Sequence, residues 1–215
     1  AECVILNGVE CEPYITADYR LMTERADEVL VGLDLLMRAA KVERGYIGIG
    51  ANMPSAIALM QQKAANDDRV EIVPLEAKYP QGGEKQLVDA VLHRQVPAPP
   101  AVTANVGAIV INVATAFAVY EAVMKHKPLF ERYVTVSGKE MAHPANFLVR
   151  IGTPIRQLID ACGGLPVSDN KILWGGPMRG VSLDTLDVPV VKGLAGLTIM
   201  SGREAHRHTP EPCIR

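Results

Sequence analysis

The chain has 215 residues, a formal net charge of −2, and 48% hydrophobic but only 5% aromatic residues. That length suits one large domain or two modest ones, with an aliphatic, alanine-rich core. The balanced charge and absence of a basic block exclude a phosphate-neutralising nucleic-acid surface, and the apolar content excludes disorder.

In chain order, Cys3 to Leu6 reads as a strand buried on both faces. From Thr23 to Lys41, Val29, Leu30, Leu33, Leu36 and Met37 recur at helical spacing. "GYIGIG", Gly45 to Gly50, is strand-like, and Ser55 to Asn66 reads as a helix with Pro54 near its start. "VEIVPL" is a third strand and Glu84 to His93 a third helix. "VPAPPAV" is an extended connector. "AIVINV" and a helix from Thr115 to about Lys125 close the series. The apolar run Val106–Met124 approaches spanning length. Asn112, Thr115 and Glu121 interrupt it, so it reads as a buried strand and a helix rather than a membrane span. Alternating strands and helices predict a largely parallel sheet covered by helices.

Near Pro128 the pattern changes. "RYVTVSG" and "ANFLVRIG" read as strands. "TPIRQLIDACGG" reads as a helix with Thr153 as N-cap, Pro154 first and Gly163 just past the end. "KILWGGP" and "GLTIM" add strands. The expected fold class is therefore α/β, a parallel-sheet domain at 1–128, then a small α+β unit of β-grasp type at 129–200. A polar, irregular tail follows at 201–215.

The four cysteines, Cys3, Cys11, Cys162 and Cys213, do not resemble a secreted disulfide framework, which favours a reducing compartment. No signal peptide opens the chain, and both ends look cut, so a piece of a larger protein is expected.

Open parallel sheets bind ligands beyond the carboxyl ends of their strands. Three loops there carry polar residues: "NGVECEP", "KYPQGGEKQL" and "NVAT". Gly82 and Gly83 let backbone approach a ligand at a helix start, and Lys78 and Lys85 could offset phosphate charge. Asn7 and Asn112 each donate and accept, while ionised Glu10 and Glu12 only accept. Such a set suits a nucleotide or flavin better than a bare anion. Taken singly, each feature also has a bland reading. "GGEK" is a common helix start, "ECEP" a solvated turn, and Asn112 a satisfied turn residue. No G-x-G-x-x-G string follows a strand.

"VILNGVECEPYITADYRLM", "YPQGGEKQL", "INVATAFAVYEAV" and "WGGPMRG" together resemble the C subunit of the Rnf electron-transport complex, over nearly the whole chain. That subunit is similar to the NADH-oxidising, flavin-bearing subunit of respiratory complex I. The resemblance implies FMN and NADH binding, electron delivery to two 4Fe–4S clusters, and reaction with ferredoxin through membrane partner subunits. It also implies a peripheral place at the cytoplasmic face of the bacterial inner membrane. The second unit resembles a soluble-ligand-binding β-grasp domain.

Residue by residue, "NGVECEP" keeps Asn7, Glu10, Glu12 and Pro13 of the Asn-Ala-Asp-Glu-Ser-Glu-Pro found in the complex I relatives. Asn7 and Glu10 would sit at the flavin, and Glu12 between flavin and nicotinamide nucleotide. Tyr79, Gly82, Gly83 and Glu84 match a Tyr and Gly-Glu-Glu string loosely, with Lys85 in place of the second Glu. "INVAT" keeps Asn112, Val113 and Thr115, and has Ile111 and Ala114 where the relatives have Asn and Glu. The family's glycine-rich loop lies upstream of the first residue, so little or no FMN affinity is expected of this stretch alone. Cys213 opens what in the family is a pair of C-x-x-C-x-x-C-x-x-x-C-P cluster motifs. One thiolate cannot hold a cluster, so no cluster is expected here.

Outside these motifs, Cys3 and Cys162 read as buried small apolar residues, Cys11 as a thiol of open role, and "HRH" at 206–208 as a solvated tail. The leading expectation is the electron-input subunit of an NADH:ferredoxin oxidoreductase. The alternatives are a non-catalytic docking module and a related flavoprotein reductase of corrinoid metabolism.

Overall fold

A computed structural model describes residues 1–167, 170–202 and 204–205. The chain forms two compact units. The first comprises Ala1–Glu12 and Thr16–Tyr133; the second comprises Pro13–Ile15 and the chain from Val134 onward.

In the first unit, four parallel strands stand in the order β3-β2-β1-β4. They are β1 (Cys3–Gly8), β2 (Arg44–Gly50), β3 (Val70–Leu75) and β4 (Ala108–Asn112). Helices α1 (Ala17–Glu24), α2 (Ala26–Ala40), α3 (Pro54–Ala64), α4 (Glu84–Leu92) and α5 (Val113–Met124) cover it. The period-two pleat sends Val4 and Leu6 into one apolar cluster with Leu21, Val29, Leu33, Met60 and Val113. Cys3 and Ile5 go to the opposite face with Leu75, Leu87 and Val88. Both faces of β1 are thus buried, as a central parallel strand requires. Helices α2 and α5 approach so closely that a Cβ on Gly32 would lie 2.1 Å from Ala116 O.

The apolar run before Met124 resolves into β4 and α5, and no described helix is long and apolar enough to cross a membrane. One expected helix, Thr23–Lys41, is two helices. Arg25 leaves helical geometry at φ −133°, ψ 34°, with neither Gly nor Pro to announce the break. Helix α5 begins at Val113, earlier than its spacing suggested, because Asn112 is its N-cap.

The second unit holds a mixed sheet ordered β6-β5-β9-β7-β8. Its strands are β5 (Glu131–Ser137), β6 (Ala145–Arg150), β7 (Asn170–Trp174), β8 (Val181–Leu183) and β9 (Gly196–Ser201). Helix α6 (Ile155–Ala161) packs Ile155, Leu158 and Ile159 against Val134, Val136, Leu197 and Ile199. The expected N-cap, Thr153, is displaced: Pro154 takes that position with extended ψ 135°. The reason is tertiary. Val190 N donates to Thr153 O and Ile155 N to Val188 O, so the backbone is committed to a bridge before it turns helical. Gly163, just past the helix, has φ +95° as expected of a C-terminal glycine. Strand β8 carries no sequence signal, because its three residues are too few to show a period.

Candidate functional site

The carboxyl ends of β1 and β4 are in register, with Asn7 opposite Asn112. From this pair a chain of hydrogen bonds joins the three polar loops. Asn7 Nδ2 donates to Gly82 O at 2.8 Å, pinning the "QGGEK" loop to the "NGVECE" loop, while Asn7 Oδ1 accepts from Val9 N at 3.3 Å. Asn112 Nδ2 donates to Asp18 Oδ2 at 2.7 Å and to Asn7 O at 3.3 Å, and its Oδ1 caps α5 through Ala114 N at 2.8 Å. Glu10 closes the chain: its carboxylate accepts from Asp18 N at 2.7 Å and Tyr19 N at 2.9 Å, the first turn of α1.

This last contact explains α1. Thr16, its own N-cap residue, makes no side-chain cap bond. The orphan amides are satisfied by an acid from the preceding loop, held at φ +44°. Glu10 and Asp18 form an acidic pair. Burial and the Asp18 charge push the Glu10 carboxyl up to about 9, against the pull of the two amides. Burial likewise raises Asp18, opposed by the Asn112 amide and the Arg132 guanidinium. Burial in turn depresses Arg132 below the usual guanidinium range, while the Asp18 charge holds it up.

The structure thus brings Asn7, Glu10, Gly82 and Asn112 into one network. Gly82 sits close against the first loop, where a Cβ would lie 3.2 Å from Cys11 Sγ and 3.5 Å from Asn7 Oδ1. The other sequence-predicted residues stand around that network. Gly83 is the extended N-cap of α4 with no side-chain cap, and Glu84 is exposed in its first turn. Thr115 is exposed in the first turn of α5, and Tyr79 is exposed on its loop. Glu12 is half-buried, with Oε1 shielded from solvent. The lysines are engaged elsewhere: Lys85 Nζ donates to Pro97 O at 2.9 Å, and Lys78 pairs with Glu76.

Cys213 and His206–His208 lie outside the described residues, among which no metal-ligating cluster gathers. Burial raises the thiol pKa of both Cys3 and Cys162, as inert packed cysteines require. Two residues of the network escaped sequence reasoning. Asp18 carried a faint signal as an acid at a helix start; Arg132 carried none, because nothing local relates it to the loops.

An open parallel sheet with loops hydrogen-bonded together at its carboxyl edge defines an α/β class of domain that receives ligands at that edge. Comparison narrows it: residues 1–121 match the Nuo51 FMN-binding domain model, more than half of the chain, and residues 133–182 match the SLBB domain. The chain belongs to the Nuo51 FMN-binding domain family.

Among curated proteins, it is 43% identical over 213 residues to the C subunit of the Na(+)-translocating ferredoxin:NAD(+) oxidoreductase complex of Acetobacterium woodii, covering 99% of this chain and 48% of that protein. It is 43% identical over 211 residues to the C subunit of the proton-translocating ferredoxin:NAD(+) oxidoreductase complex of Clostridium ljungdahlii, covering 98% of this chain and 46% of that protein. To the C subunit of the ion-translocating oxidoreductase complex of Rhodobacter capsulatus it is 41% identical, with 99% of this chain and 41% of that protein covered. The chain therefore spans less than half the length of these curated relatives. A chain of an NAD+-reducing NiFe-hydrogenase shares the fold at TM-score 0.76 and 21% identity, over 94% of this chain and 41% of that one.

Proposed function

We propose that this chain is the flavin- and nicotinamide-binding part of an Rnf-type C subunit, the electron-input component of a ferredoxin:NAD+ oxidoreductase complex. The observation that carries the proposal is the Gly82–Asn7–Asn112–Asp18–Glu10 network, which fixes three loops where an α/β sheet receives its ligand. Around it, the donor and acceptor set fits FMN. The α4 amides beyond Gly83 carry no side-chain cap and suit a phosphate. Glu12, Glu84 and Thr115 suit sugar hydroxyls and a nicotinamide amide, and Tyr79 offers a ring edge.

FMN, when bound, supplies the step from two-electron hydride acceptance to one-electron release. The chain's own residues orient it. Asn7, Asn112 and Glu10 hold the loops; their side chains are spent on protein partners and shape the site rather than line it. Glu12 stands where NADH would meet the flavin. Cys213 is assigned as the first thiolate of a pair of 4Fe–4S clusters completed by further cysteines. The subunit would lie peripherally on the cytoplasmic face of the bacterial inner membrane. NADH, other members of the complex and ferredoxin would be its partners, and nucleic acid would not, given a net charge of −2.

A second reading, ligand or partner docking by the mixed-sheet unit, rests on a groove of about 480 Å³ lined by Arg156, Asn170, Ile172, Leu183 and Thr185.

The test is an FMN titration followed by flavin fluorescence on the full-length protein, wild type and Glu12→Gln. Wild type is expected to bind FMN, and Glu12→Gln to raise KM for NADH more than the Kd for FMN. Equal loss of both would remove the role given to Glu12. No FMN binding by wild type would replace the flavin reading with the docking one.

A further inference from the structure

The loop between β3 and α4 holds one polar side chain that neither the hydrogen-bonded network nor the contacts proposed for FMN and NADH use. Gln81 is only 6% exposed, although Lys78, Tyr79 and Pro80 before it are exposed and Gly82 and Gly83 after it are half-buried. The backbone around it is fixed. Gln81 N donates to Lys78 O at 3.0 Å, Gly83 N donates to Pro80 O at 2.7 Å, and Gly82 O accepts from Asn7 Nδ2 at 2.8 Å. The amide head, by contrast, is open. Among the described residues, Gln81 Oε1 and Nε2 have no hydrogen-bond partner, and both keep a little contact with solvent. Ordering and burying a glutamine costs rotamer freedom and hydration, and a partner for the amide ordinarily offsets both. Gln81 bears that cost with its head still presented at an opening.

The surroundings say what kind of partner would complete it. Gly83, two residues on, is the N-cap of α4, a nine-residue helix without a side-chain cap. The cations of the loop are turned elsewhere, Lys78 onto Glu76 and Lys85 onto Pro97 O. What the loop buries beside that helix start is therefore a neutral donor–acceptor group and not a charge. A carboxamide sets an acceptor and a donor side by side in one plane, and its complement is an edge that does the same. We infer that Gln81 is a ligand-contact residue, its carboxamide pairing with an uncharged planar edge that carries an N–H beside a C=O. The flavin imide and the nicotinamide carboxamide both present that edge. This rests on the flavin and nicotinamide reading above, and deepens it by naming the residue that recognises the uncharged end of a ligand.

The experiment uses the full-length protein, wild type, Gln81→Met and Gln81→Asn. Methionine keeps the length of glutamine without its hydrogen bonds; asparagine keeps the amide but draws it back by one methylene. It reads the urea midpoint of the cofactor-free protein, the Kd for FMN by flavin fluorescence, and the Kd of the FMN-loaded protein for NAD+ by titration calorimetry. Because the amide has no partner within the described fold, Gln81→Met is expected to unfold at the wild-type midpoint or above it. Both variants are expected to weaken one of the two ligands about tenfold, the effect of one to two hydrogen bonds, and to leave the other within about twofold. Analogues separate the two sources. 3-Methyl-FMN lacks the imide N–H, and 3-acetylpyridine adenine dinucleotide lacks the carboxamide NH2, so wild type and variants should bind the matching analogue alike. Gln81→Asn reports on binding should Gln81→Met fold poorly. Unchanged affinity for both ligands overturns the inference and leaves the flavin reading standing. So does a loss that persists with the matching analogue, an equal loss for both ligands, or a lowered midpoint in both variants, which would make Gln81 a structural residue. A wild type that binds neither FMN nor NAD+ removes the flavin reading and the inference with it, so the two failures are told apart.

Discussion

The two units bury their sheets differently. In the first, a pleat with apolar residues on both sides is covered twice, Val4 and Leu6 by one cluster, Cys3 and Ile5 by another. Nothing of β1's faces is left for chemistry, so polar function is forced to the strand ends, where Asn7 and Asn112 stand opposite each other. In the second, one apolar cluster built on β5, β9 and α6 dominates, and the outer strands stay partly open, with Leu148 and Val181 exposed. A sheet covered twice offers an edge; the second unit carries instead a groove beside α6, lined by Arg156, Asn170, Ile172 and Leu183.

The largest test of this contrast removes core from each unit. Leu33→Ala and Ile159→Ala delete fully buried side chains, and each is expected to cost about 3 kcal/mol. Hydrogen exchange read by peptides should show each variant losing protection chiefly in its own unit. Loss spread evenly over both would break the distinction.

Next in size is Asn112→Ala, which removes the α5 cap and the bonds to Asp18 and Asn7 and is expected to cost about 1–2 kcal/mol in urea unfolding. Asn112→Asp keeps the cap acceptor but sets a carboxylate against Asp18. It should be no more stable than the alanine variant at pH 8 and recover at pH 5. Equal stability at both pH values would remove Asp18 from the network.

The smallest effect, taken per pH unit, is a slope. The folded Glu10 carboxyl titrates at about 9 against an ordinary 4.5, so between those values the folded protein holds a proton that the unfolded chain has released. Stability from this group is therefore greatest at the acid side and falls as pH rises, by at most about 1.4 kcal/mol per pH unit. The urea midpoint of wild type should be lower at pH 8.5 than at pH 5.5, and Glu10→Gln should flatten the difference. An unaltered slope would mean that the acidic pair does not titrate as a pair.

Periodicity and composition by themselves determined the strand-helix alternation of the first unit, the change of pattern near Pro128, and which three loops carry polar residues at the sheet edge. These are local properties: a doubly buried strand must be apolar throughout, and a helix face must repeat every three to four residues. Only the tertiary structure decided where the loop side chains point. Asn7, Asn112 and Glu10 read as ligand contacts from their chemistry, yet each is turned onto protein partners. Helix α1 was invisible because its cap comes from Glu10 in the preceding loop rather than from its own Thr16. Arg132 joined the polar network through the charge of Asp18, far away in the chain. Sequence pattern records what a residue is and how it repeats. It does not record which distant backbone amide or carboxylate will meet it once two sheets have folded.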